Sequence, residues 1–284
     1  MNRWTFALSK RWAGYLALTV VFAIACSGLG MWQFERRAQA RAEIDRIESN
    51  YERAAAPLDE VLGSLDAYDE SQKWLPVLVE GTYLESEQLL VRNRPFAGRP
   101  GFEVLAPLLL DDGTVFVVDR GWLPTGSEQD APDEIPAAPS GRVTVEARLK
   151  AGEPLLAGRS TIEGSGQVAT VNLPQIADLV DRPSYTAAYG LVIAESPSPA
   201  TAPMPSVKPL LDEGPHLSYA LQWFVFVLIG FIGLGWALRQ EYRTVNADDP
   251  DERERADERA RRRAARAPSD DESEDALIEA GEPR

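Results

Sequence analysis

The chain's single histidine, His216, stands at the start of a long apolar run. Tyr219 and Trp223 follow at i+3 and i+7, on the same helical face. Neutral imidazole is the form that ligates iron. A ligand role therefore competes with a plainer one, an interfacial histidine that caps the helix or hydrogen-bonds a headgroup. With one histidine a bis-imidazole site inside the chain is impossible. A second axial ligand would be absent, Met204 or Tyr219, or supplied by a partner. Arg92, Arg94, Arg99 and Arg120 form a second group, a basic island in an otherwise acidic domain. Guanidinium forks suit carboxylates on a ligand or on a partner's loops. The alternative is a solvated hairpin face with ion pairs to Glu103 or Asp119.

Other chemistries find little support. No second histidine exists to pair with a Ser or Cys, and there is no metal-spaced Cys/His set and no phosphate loop. Acidic residues are numerous, but no two stand out as acid and base. The net charge of −15 argues against nucleic acid as a partner. The lone Cys26 lies in an apolar segment, so no intramolecular disulfide can form; the absence of any Cys from the rest of the chain fits an oxidising compartment. The 284 residues allow one or two domains.

The elements that position these residues begin with the apolar run itself. From Leu217 to Leu238 no residue is charged, and about 20 such residues suffice to cross a bilayer as a helix. Pro215 opens the segment, and Arg239 and Arg243 close it. A second candidate span covers 12–32, with Trp12 and Trp32 suited to the two aromatic belts. A rival reading is a cleaved signal peptide at Ala23-Ile24-Ala25, or a lipoprotein site at Ala25-Cys26. The apolar run continues past that point and is long enough to span. Two spans put both termini on one side. The Arg239/Arg243 flank places 1–11 and 239–284 in the cytoplasm and 33–215 outside it. Arg3, Lys10 and Arg11 agree with this orientation; Arg36, Arg37 and Arg41 oppose it.

Within the outer segment, 33–56 reads as a charged helix with an Ile44, Ile47, Tyr51 stripe, ended by Pro57. Strand-like runs follow at 77–83, 88–92, 102–110, 115–122, 142–150, 167–173 and 185–194. Asp111-Asp112-Gly113 makes a hairpin of two of them, and 174–180 suits a short helix. The predicted fold is two transmembrane helices enclosing a β-rich (α+β) extracytoplasmic domain, an antiparallel sheet or small open barrel. The Pro/Ala-rich stretches 127–141 and 196–209 are extended loops. Gly98, Gly101, Gly113 and Gly121 read as backbone devices, and Trp74 and Trp122 as core or interface anchors. Ala13-x-x-x-Ala17 and Gly233-x-x-x-Ala237 offer small faces where the spans could pack. The stretch 248–284, dense in Asp, Glu and Arg, should be disordered or transiently helical.

Four motifs now stand in order. Leu29-Gly30-Met31-Trp32-Gln33-Phe34-Glu35-Arg36 leaves the first span. Asn93-Arg94-Pro95-Phe96-Ala97-Gly98-Arg99-Pro100-Gly101-Phe102 opens the hairpin region, and Val117-Val118-Asp119-Arg120-Gly121-Trp122-Leu123-Pro124 follows it. Pro215-His216-Leu217-Ser218-Tyr219-Ala220-Leu221-Gln222-Trp223 starts the second span. In this order the chain resembles the SURF1/Shy1 family of cytochrome c oxidase assembly factors over about residues 12–243. Where the family tends to carry a Lys shortly after Gln-x-x-Arg, Arg37 or Arg41 stands in. The acidic tail lies outside the pattern.

The resemblance implies a non-enzymatic role at the bacterial plasma membrane, helping haem a enter oxidase subunit I. The partners it implies are subunit I, haem a synthase and the lipid bilayer. The cofactor-binding expectation is transient haem a, with His216 as iron ligand, Tyr219 and Trp223 as pocket wall, and Arg94 and Arg120 toward the propionates. Two alternatives from other classes remain: a scaffold that docks oxidase subunits without touching haem, and a tethered extracytoplasmic hydrolase using carboxylates.

Overall fold

The computed structural model describes residues 4–128, 131–156 and 165–264. They fall into two compact units, Met1–Arg37 with Pro215–Arg284, and Ala38–Gly214.

The first unit is helical. It holds the apolar part of α1 (Lys10–Asn50) and all of α4 (His216–Val245) and α5 (Pro250–Ala264). Helices α1 and α4 are each long and apolar enough to cross a membrane. They meet where glycine on one faces phenylalanine on the other. A Cβ on Gly30 would lie 2.8 Å from the Phe224 ring, and one on Gly230 would lie 3.5 Å from Phe22. Phe34 and Phe224 also pack, with ring centroids 6.2 Å apart, and Arg11 pairs with Glu241. The predicted small-residue faces are not the ones used. Ala13 and Ala17 are exposed, and a Cβ on Gly233 would meet nothing within 4 Å. A uniformly apolar helix carries no pattern that marks its packing face, and small residues occur all round it.

Helix α1 runs unbroken through Ala25-Cys26, with Cys26 buried. Helix α4 continues seven residues past Leu238, to Val245. Helix α5, with Pro250 in its first turn, lies within the predicted tail, and 265–284 lies outside the described residues.

The second unit begins with the last turns of α1, which stop at Asn50 rather than at residue 56. The Asn50 side-chain amide donates to the carbonyls of Ser71 (2.7 Å) and Lys73 (2.8 Å). Six residues on, Ala56–Pro57 (β1) joins the sheet. After α2 (Leu58–Val61) come β2 (Pro76–Tyr83), β3 (Leu89–Val91), β4 (Gly101–Leu110), β5 (Val115–Pro124), β6 (Arg142–Ala151), β7 (Gln167–Val168), α3 (Leu173–Val180) and β8 (Ala188–Ser196).

Five strands close on themselves. Strand β2 pairs antiparallel with both β6 and β4, β4 with β5, and β6 with β8, while β8 runs parallel to β5. The β-rich domain between two candidate spans is therefore a small closed barrel rather than an open one, with β1, β3 and β7 as extra strands. Closure depends on Gly81. It pairs with Leu110 on one side and Val143 on the other, and a Cβ there would collide with the carbonyl of Leu109 and press on the Leu108 side chain.

Alternation sorts the side chains. Val143, Val145, Ala147 and Leu149 of β6 point into one core with Phe116 and Val118 of β5. Val115 and Val117 pack in a second core with Ile47 of α1 and Ile176 of α3. Strand β5 is thus buried on both faces. The predicted hairpin joins β4 to β5: Asp112 Oδ1 accepts the Thr114 N–H at 2.8 Å, and Gly113 takes φ +85°. The predicted strand 167–173 ends at Val168 because Asn172 caps α3, its Oδ1 accepting from the Gln175 N–H at 3.1 Å. The strand expected at 185–194 is displaced to Ala188–Ser196. Tyr185 instead packs edge-on to Phe116, with centroids 5.5 Å apart.

Candidate functional site

The five sequence-predicted site residues form two groups, one in each unit: His216, Tyr219 and Trp223 in the first, Arg94 and Arg120 in the second.

Pro215 precedes α4 and places His216 in its first turn. The imidazole is part-buried, and its Nδ1 lies 2.8 Å from Gln33 Oε1 on α1. In the tautomer whose Nδ1–H donates to that oxygen, Nε2 carries the lone pair. A hydrogen bond of this kind is what orients metal-binding histidines and fixes their tautomer. One turn on, Tyr219 is half-exposed. Trp223 packs edge-on against Phe226, centroids 5.7 Å apart. Phe224 and Phe34 line the α1 contact beside them. Gln33, already part of the motif leaving the first span, is the hydrogen-bond partner of His216 that sequence reasoning missed.

The arginines answer differently. Arg120 is not at the surface. Its side chain is 0% exposed and pairs with Glu195, itself 4% exposed, Nε to Oε1 at 3.0 Å. Three of the four remaining guanidinium hydrogens go to Glu195 Oε2 and to the carbonyls of Pro136 (2.8 Å) and Ala137 (3.2 Å). Tyr83 donates to the same Glu195 Oε1 at 2.6 Å. Glu195 and two backbone carbonyls thus surround the buried Arg120 guanidinium, whereas the propionate role expected for it calls for a guanidinium open to a ligand. Its partner is Glu195, not the Asp119 or Glu103 that the sequence placed nearby.

Arg94 is about a quarter exposed and pairs with Glu103 at 2.9 Å and with Glu153. It lines two clefts. One, of about 280 Å³, also presents Phe96, Asp119, Trp122 and Met204. The other, of about 350 Å³, presents Arg92, Glu153 and Thr170. Burial alone would raise the Glu153 carboxyl, but hydrogen bonds from Arg94 and the Val171 N–H hold it below the usual range. Burial pushes Glu103 up despite Arg94. Burial, with the Glu103 charge adding to it, pushes Asp119 up to about 8. An anion reaching Arg94 would meet two carboxylates already paired with its guanidinium.

The motif Asp119-Arg120-Gly121-Trp122 thus reads as architecture. Asp119 Oδ1 accepts the Gly121 N–H at 2.9 Å. Gly121 adopts φ +130°, where a Cβ would collide with the Met204 carbonyl. Trp122 and Met204 exchange backbone hydrogen bonds at 2.8 and 2.9 Å, and the indole N–H donates to the Arg94 carbonyl at 2.6 Å. Trp74 is likewise an anchor, its indole donating to Glu43 Oε1 at 2.9 Å. Among the described residues no three His, Cys, Asp or Glu side chains cluster to hold a metal ion.

Two helices, each long and apolar enough to cross a membrane, flank a small closed barrel, and that arrangement defines the class of the protein. The sequence matches the SURF1 family over residues 20–228, and the chain belongs to that family. It is 32% identical to SURF1-like proteins of Mycobacterium tuberculosis and Mycobacterium bovis over 246 residues, 86% of this chain and 89% of each relative. It is 30% identical to a SURF1-like protein of Dictyostelium discoideum over 114 residues, 37% of this chain and 41% of that one. The family is generally one of cytochrome oxidase assembly and is not a known enzyme family.

Proposed function

We propose that this chain assists cytochrome c oxidase assembly by holding haem a transiently at His216 on its way to subunit I. The observation that carries this reading is the hydrogen bond between His216 Nδ1 and Gln33 Oε1. It leaves Nε2 as the one imidazole nitrogen in the chain available to iron. Tyr219 and Trp223 supply a rim of aromatic surface suited to a lipophilic macrocycle. In the orientation that fits the Arg239/Arg243 flank, this spot lies at the outer surface of the plasma membrane, where haem a synthase and subunit I would be its partners. Arg120 takes no part, because its charge is committed to Glu195.

One observation favours a second reading, a scaffold that docks oxidase subunits without touching haem. Both Arg94 and Arg120 are neutralised within the barrel domain, so that domain offers shape rather than a propionate grip.

Titration of the detergent-purified protein with haem a, followed by its Soret band, decides between them. The wild type should show a saturable band. His216→Ala should lose it while keeping its membrane level, and Gln33→Leu should weaken binding by roughly 10- to 100-fold, the range typical for losing a partner that orients a metal-bound histidine. A band unchanged in His216→Ala transfers the assignment to the scaffold.

A further inference from the structure

At the far end of α4, in the same helical unit, a cavity of about 610 Å³ opens where the apolar span gives way to charge. Trp4, Tyr242, Arg239, Arg243, Arg255 and Arg259 line it. The aromatic pair is stacked, with ring centroids 4.5 Å apart. Four guanidiniums face a single carboxylate, Glu252, which is already engaged by Arg259 at 2.7 Å and Arg255 at 3.7 Å. Arg243 donates to the neutral Gln240. Among the described residues neither Arg239 nor Arg243 has a carboxylate within ion-pair distance. In a chain of net charge −15, this concentration of unbalanced positive charge is local.

We propose that this cavity binds the phosphate of an anionic phospholipid headgroup. Three features point to a lipid rather than a soluble anion. Arg239 follows Leu238 directly, so the cavity lies at the depth where an α4 span would leave the hydrocarbon. Trp and Tyr are the residues that settle at headgroup level, and here they form a wall of the cavity. Basic pockets at the ends of membrane helices are the known chemistry for lipid phosphates. Arg forks give such a phosphate paired hydrogen bonds as well as charge. Helix α5 acquires a role in this picture: it brings Arg255 and Arg259 to a headgroup that Arg239 and Arg243 alone would hold from one side.

The test uses the full-length protein, delipidated in neutral detergent and examined by native mass spectrometry. Dioleoyl-phosphatidylglycerol and dioleoyl-phosphatidylcholine are added in parallel, with and without inorganic phosphate. Retention of phosphatidylglycerol over phosphatidylcholine is expected, and Arg255→Gln/Arg259→Gln should weaken it by roughly tenfold or more. Arg261→Gln/Arg262→Gln removes the same charge from exposed positions of α5 that do not line the cavity, and should leave retention near wild type. Trp4→Ala, which alters no α4 residue, should also reduce the preference. Equal retention of the two lipids overturns the proposal. So does equal weakening by the two arginine pairs, which would mean undirected charge attraction. Displacement of the lipid by an equal concentration of inorganic phosphate would show a soluble-anion site and overturns it too.

Discussion

Arg120 and Glu195, 75 residues apart, meet side-on across the neighbouring parallel strands β5 and β8, Nε to Oε1 at 3.0 Å and Nη2 to Oε2 at 3.3 Å. Tyr83 of β2 adds its hydroxyl to the same carboxylate. Three of the five barrel strands are thereby tied at one buried polar point. Burial together with the Glu195 charge holds the Tyr83 phenol well above its usual value, so it remains a donor.

Removing one partner should strand a buried charge. Arg120→Ala is expected to cost about 3–5 kcal/mol of stability. Arg120→Met combined with Glu195→Leu should recover much of the loss, because no uncompensated ion remains. Thermal unfolding of the full-length protein in detergent measures both. A mild Arg120→Ala phenotype would mean that the pair opens to water.

The seam at Gly81 gives a second prediction. Gly81→Val should part β2 from β4, since the added side chain collides with backbone at Leu109. Hydrogen exchange should rise at the β2–β4 amides more than along the longer β2–β6 ladder. Gly113→Ala makes the comparison. Its Cβ meets nothing within 4 Å, so only the φ of +85° is strained, and the cost should stay at about 1–2 kcal/mol.

Asp119 predicts a pH dependence. Its carboxyl is pushed up to about 8 by burial, whereas an unfolded Asp titrates near ~3.9. Between those values the folded state holds a proton that the unfolded state releases. Its contribution is therefore fully present below about pH 4 and is lost as pH rises toward 8, at up to ~1.4 kcal/mol per pH unit for one proton. Asp119→Asn keeps an acceptor for the Gly121 N–H and should flatten the dependence. Glu103, also pushed up, leaves some slope. Unfolding midpoints at pH 5 and pH 8 give the comparison; parallel losses in wild type and variant would assign the slope elsewhere.

Local features of this chain were readable before any coordinates. The β4–β5 hairpin follows from Asp112-Gly113 between apolar runs, and the short helix expected at 174–180 stands as α3, although its cap Asn172 read as part of a strand. Non-local ones were not. Nothing near β5 in sequence says that β8 will lie beside it, and the pairing of β5 with β8 is what turns a sheet into a barrel. The same gap misplaced Arg120. Read beside Asp119 and Glu103 it resembled an exposed basic group, yet it sits in a strand whose other residues are nearly all buried. A charge inside such a strand signals a buried partner, here one that arrives with β8. His216 was conspicuous because it is alone. Gln33 could have been paired with it, since two antiparallel spans bring the end of the first level with the start of the second.

The late arrival of β8 also sets an order of events during synthesis. Before residue 188 emerges, the barrel strands present pair as β5-β4-β2-β6, an open sheet with unfilled edges on β5 and β6. Both edges wait for the same segment, which seats between them and satisfies them together. A nascent chain therefore carries two sticky margins until its last stave is delivered. A stop codon just upstream of Ala188 should yield a product that is cleared or aggregates rather than a smaller stable domain.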